Sequence, residues 1–122
     1  MSKEKSMPHP VMYFEIGCRD VAATRDFYKS LFDWEMDESK PNYVGLPKGA
    51  AHGIGGHIMS LGHEPHQYTL FYVEVEDIAA YAEKAKGLGG KVVVPPVDIG
   101  EGKFAWIQDN GGNTVGLWEP SK

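Results

Sequence analysis

The 122-residue chain is 42% hydrophobic and 24% charged, an ordinary globular composition that argues against disorder and fits one compact domain. A formal net charge of −5 with no basic block argues against nucleic acid or an anionic membrane surface as partner. One cysteine, Cys18, excludes an internal disulfide, and no apolar run approaches the ~18 residues a membrane span needs. With no apolar core behind the charged N-terminus to make a signal peptide, the expectation is a soluble cytoplasmic protein.

Residues 1–9 read as a flexible polar leader. Val11 to Gly17 is the first strand; if Phe14 and Ile16 pack under the next helix, Tyr13 and Glu15 face the other way, because strand side chains alternate. Asp20 has the chemistry of a helix N-cap. Ala23, Phe27 and Leu31, with Tyr28 alongside, form the predicted inner stripe, and the helix should stop near Phe32 and Asp33. Trp34 to Asp37 alternates as a short strand, Lys40-Pro41-Asn42 turns, and Tyr43 to Leu46 is the next strand. A glycine- and alanine-rich stretch, 47–56, leads into a fourth strand from His57 to Leu61. The polar, proline-bearing segment 62–66 reads as a linker between two modules, 10–61 and 67–120.

The second module repeats the first. Gln67 to Val75 is a strand and Asp77 is again an N-cap, 57 positions after Asp20. Ile78, Tyr81, Ala82 and Ala85 have helical spacing, and Gly87 and Gly89-Gly90 end that helix. Lys91 to Val94 is a β-branched run stopped by Pro95-Pro96; Lys103 to Gln108 and Asn113 to Trp118 are the closing strands, joined by a turn at Asp109 to Gly112. The predicted order is βαβββ, twice: an α+β fold.

This ordered set resembles the vicinal oxygen chelate superfamily, which contains glyoxalase I, bleomycin-resistance proteins and extradiol dioxygenases. The matching residues include Phe14-Glu15-Ile16, Asp20, Phe27-Tyr28, Leu31-Phe32-Asp33-Trp34, Gly55-Gly56, Asp77, Leu88-Gly89-Gly90-Lys91-Val92, Gly102-Lys103-Phe104-Ala105, and Gly116-Leu117-Trp118-Glu119-Pro120. The resemblance implies two tandem βαβββ modules whose curved mixed sheets enclose a cleft, and small members are often homodimers. Metal-using members place one ligand on the first and the last strand of each module. The corresponding positions here are Tyr13, Leu70, Gly116 and, near the fourth, His57. Zinc, nickel or iron centres need three or four His, Glu, Asp or Cys donors, so no metal and no other cofactor is expected.

By alternation the cavity face carries Tyr13, Glu15, Tyr72, Glu74, Thr114 and Trp118, with Trp106 and His57 on neighbouring strands. Aromatic walls with a few carboxylates suit a small organic ligand, and they suit a packed cleft or dimer interface equally. Glu15 is the acid/base candidate, since a carboxylate among aromatic rings is held from water, which favours its protonated form. Cys18 is assigned to packing, and His9, His52, His63 and His66 to loops. The first expectation is metal-independent binding of a small molecule. The alternatives are a glyoxalase-like lyase or isomerase, or a dioxygenase-type enzyme, whose divalent metal is held by Glu15, His57 and further groups that the sequence does not place, and a non-catalytic dimeric interaction module.

Overall fold

The computed structural model describes residues 9–49 and 52–122; most of the predicted leader, and Ala50 and Ala51 of the glycine–alanine stretch, lie outside them. The elements run β1 (Val11–Gly17), α1 (Val21–Phe32), β2 (Asp37–Lys40), β3 (Tyr43–Leu46), β4 (Gly55–Met59), β5 (Tyr68–Glu74), α2 (Ile78–Gly87), β6 (Lys91–Asp98), β7 (Gly102–Gln108) and β8 (Thr114–Pro120). This is the α+β order read from the sequence, βαβββ twice. The chain divides into two units. One is Tyr13–Leu70; the other joins the segment up to Met12 with Phe71–Lys122.

Within the Tyr13–Leu70 unit the strands lie in the order β2-β3-β4-β1, with β1 and β4 parallel and the other pairs antiparallel. Within the other unit the order is β5-β8-β7-β6, again with one parallel pair, β5 with β8. The same mixed topology on both sides of the repeat is the structural form of the 57-residue offset.

Both helices start on an aspartate. Asp20 Oδ1 accepts from the Ala23 N–H at 3.0 Å and Asp77 Oδ1 from the Ala80 N–H at 3.1 Å, each satisfying a free donor of the first turn. Asp33 takes a left-handed conformation, φ 58°, at the end of α1. After α2 the left-handed residue is Gly89, φ 95°, which needs no Cβ there.

The helix side of the Tyr13–Leu70 sheet is a core of Cys18, Val21, Val44, Leu46 and Ile58, with Phe14, Ile16, Tyr28, Trp34 and Met36 against it. The other unit packs Val75, Ile78, Ala105 and Leu117 with Tyr81 and Ile107. Alternation therefore leaves Tyr13 and Glu15 on the side away from α1, as expected.

Three readings are corrected. The stripe Ala23–Phe27–Leu31 is exposed, with Phe27 at 60% and Leu31 at 59%. Val21, Thr24 and Tyr28 turn inward in its place, because the Tyr28 ring stacks on Trp34 at 5.6 Å and 7° and claims the inner position. The second strand begins at Asp37, three residues later than alternation indicates, because Trp34 and Met36 leave the ladder to cover the core. Strand β6 runs through Pro95 and Pro96 to Asp98. As the edge strand of its unit it can accommodate prolines, and its register shifts between Val94 and Val97. Neither helix is long and apolar enough to cross a membrane.

Candidate functional site

In the Tyr13–Leu70 unit, strand register decides which side chains meet. Glu15 lies opposite His57 across the parallel pair β1–β4, and His57 lies opposite Gly45 across β4–β3. The Tyr43 ring, two residues from Gly45 on the same face of β3, lies against the His57 imidazole at 4.6 Å and 26°. Tyr13, two residues before Glu15, brings its hydroxyl 2.7 Å from His57 Nδ1 and 3.2 Å from the Tyr43 hydroxyl. From the start of β5 the Tyr68 hydroxyl donates to Glu15 Oε2. Its ring lies across Gly17, where a Cβ would overlap it.

Glu15 is 3% and His57 9% exposed. His57 Nε2 stands 3.2 Å from Glu15 Oε1, within ion-pair reach, yet the geometry there is too bent for a hydrogen bond. The carboxylate opposite Nε2 favours the proton on that nitrogen, leaving Nδ1 to accept from Tyr13. The result is a chain of Tyr43, Tyr13, His57, Glu15 and Tyr68 through which one proton can be held or moved. Chemically it is a buried acid–base pair flanked by phenols.

The Phe71–Lys122 unit places the equivalent row differently. Tyr72 faces Gly116, and Gly116 faces Trp106. The Tyr72 ring fills the space over Gly116, where a Cβ would collide with it, and its hydroxyl accepts from Trp106 Nε1–H at 3.0 Å. Glu74 is in register with Trp118, and Thr114 with Gln108, so Tyr72, Glu74, Trp106, Thr114 and Trp118 share the face opposite α2. Glu119 points to the helix side, accepting from the Ile78 N–H at 2.9 Å at the start of α2.

The metal ligand positions of the resembled superfamily do not fit an ion. Leu70 is apolar, the space at Gly116 holds the Tyr72 ring, and the Tyr13 hydroxyl is engaged with His57. Among the described residues no three His, Cys, Asp or Glu side chains converge, and Glu15 with His57 supplies only two donors. His63 and His66 lie with Glu64 in the 62–66 segment, and His52 is exposed. Exposed His9 bonds Tyr81 and the Glu74 carbonyl.

Sequence reasoning missed Tyr43 and Tyr68. Period-two alternation carries the signal for both: Tyr43 is two residues from Gly45 on β3, and Tyr68 is four before Tyr72 on β5. A further feature is a cavity of about 550 Å³ whose lining includes neither Glu15 nor His57, lined in part by Gly17, Phe27, Tyr28 and Tyr68.

Comparison with known proteins agrees with the topology. The family profile of the Glyoxalase/Bleomycin resistance protein/Dioxygenase superfamily matches residues 9–117. The chain belongs to this superfamily. Its relatives include CFP32 of Mycobacterium tuberculosis, whose name assigns it provisionally to the glyoxylases; identity is 29%, over 90% of this chain and 45% of that protein. The anthracycline biosynthesis protein DnrV of Streptomyces peucetius is 26% identical, over 91% of this chain and 47% of its own. The chain thus spans about half the length of these curated relatives. Among solved structures, Streptomyces coelicolor methylmalonyl-CoA epimerase has a TM-score of 0.67 at 15% identity, covering 94% of this chain and 96% of that one. That likeness is one of fold.

Proposed function

We propose that this superfamily member binds a small organic molecule at the Glu15–His57 cluster, without a divalent metal. Glu15 carries the reading: a nearly inaccessible carboxylate, donated to by Tyr68 and 3.2 Å from His57 Nε2, on the sheet face turned away from α1. Withdrawing a carboxylate and an imidazole from water is costly, and apolar side chains would pack such a face at lower cost. The polar cluster therefore favours a ligand-facing role. Carboxylate oxygens and phenol rings suit a cationic or hydrogen-bond-donating ligand. Glu15 is the proposed acid–base residue, with His57 holding the exchanged proton and Tyr13 fixing the imidazole. In the Phe71–Lys122 unit, Tyr72, Glu74, Trp106, Thr114 and Trp118 are proposed as ligand-contacting residues of their own face. Homodimer formation and a cytoplasmic location belong to the same proposal.

A ligand-observed NMR screen of small amines, amides and phenols against the wild type, Glu15→Gln and His57→Asn tests this. Hits that weaken about tenfold or more in both variants are the expected result. Hits of equal strength in all three proteins, with melting temperatures showing them folded, would remove Glu15 and His57 from the site.

A further inference from the structure

The cavity at the edge of the Tyr13–Leu70 unit is lined by Ile16, Gly17, Cys18, Ala23, Thr24, Phe27, Tyr28, Gln67, Tyr68 and Thr69. None of these ten residues carries a charged side chain at neutral pH. Three are aromatic, while Thr24, Gln67 and Thr69 supply uncharged hydrogen-bonding groups. A volume of about 550 Å³ falls within the range of small-molecule pockets. The wall is built, not incidental: the Tyr68 ring lies on Gly17, where any Cβ would overlap it, and its hydroxyl is held by Glu15.

The repeat supplies an internal comparison. Val21 and Ile78, 57 positions apart, are both buried at the start of their helices. At the same offset, Phe27 on α1 corresponds to Lys84 on α2, the ordinary kind of residue for a solvated helix position. The exposed stripe of α1 instead carries Phe27 at 60%, and the Phe27 ring meets Tyr28 edge-on at 5.1 Å. Aromatic area is thus presented to the cavity on one helix and replaced by a cation on the other.

We infer that this cavity, which shares Tyr68 with the Glu15–His57 cluster but is lined by neither Glu15 nor His57, is a second ligand site, and that it takes an uncharged, planar aromatic molecule. Phe27, Tyr28 and Tyr68 supply the apolar contact area, and Thr24, Gln67 and Thr69 orient a polar substituent. A charged ligand finds no counter-ion in the lining.

The test titrates the neutral fluorophore N-phenyl-1-naphthylamine into wild-type protein, Phe27→Lys and Leu88→Ala. Leu88, 73% exposed beyond α2, controls for adsorption to any exposed apolar side chain. One-to-one saturable binding is expected, weakened about tenfold by F27K and unchanged by L88A. Amide shifts in ¹⁵N spectra should fall in residues 16–18, 23–28 and 67–69. Absence of saturable binding, equal binding to F27K, or equal loss in L88A would overturn the assignment. So would sedimentation showing a wild-type dimer that F27K converts to monomer, since a second copy would then cover Phe27.

Discussion

Glu15 and His57 come together because two parallel strands align them as neighbours. Tyr43 reaches His57 from the neighbouring strand β3, and Gly17 accepts the Tyr68 ring. Tyr13, Glu15 and His57 were legible in the sequence, since alternation with Phe14 and Ile16 fixes the face of β1. Alternation puts Tyr68 on the face of Tyr72, but its bond to Glu15 joins residues 53 apart and depends on packing between strands that no local period encodes. At Asp109 the chemistry is local. Its carboxylate accepts from the Asn113 side chain and from the backbone N–H groups of Gly111 and Asn113, and these bonds, Asn113 first, hold its pKa below the ordinary aspartate value. A depressed folded-state pKa contributes stability above the unfolded value, lost as pH falls through the folded one. Asp109→Asn should therefore lower the urea midpoint at pH 7, and the difference should shrink as the pH falls below the ordinary carboxylate range. An equal difference at every pH would contradict this.

At the scale of elements, helix existence and caps were readable, but helix rotation was not. Ala23, Phe27 and Leu31 have amphipathic spacing, yet the helix turns Tyr28 inward to stack on Trp34, a contact the period cannot rank against its neighbours. Arg25 and Lys29 then both reach Glu38 on β2, at 3.4 and 2.9 Å. These pairs are exposed enough that their stabilisation is small. The two helices consequently respond differently to substitution. Ile78, 1% exposed in its core, should cost about 2–5 kcal/mol on change to Ala. Phe27→Lys on the exposed stripe should stay within about 0.5 kcal/mol of wild type. Guanidinium unfolding of both variants checks the pair, and a large loss from F27K would mean that the inward-facing assignment of its stripe was the right one.

For the whole molecule, the same βαβββ topology appears in each unit, and sequence repetition at an offset of 57 exposed it before any strand was paired. The repeat conserves architecture while diversifying chemistry: the row Glu15, His57, Gly45 is matched by Tyr72, Gly116, Trp106. The carboxylate–imidazole pair of one row thus corresponds to Tyr72 and Gly116 in the other, with Trp106 where the first has Gly45, and neither row offers the donor set of a divalent centre. In the function proposed above, ligand binding depends on Glu15 and His57 and needs no metal. Calorimetry of the strongest screening hit, before and after exhaustive chelation and with Zn²⁺, Ni²⁺, Mn²⁺ or Fe²⁺ added back, tests it most directly. One unchanged affinity throughout, weakened by Glu15→Gln and His57→Asn, is the expected result. Binding abolished by chelation and restored by one of these ions would contradict it.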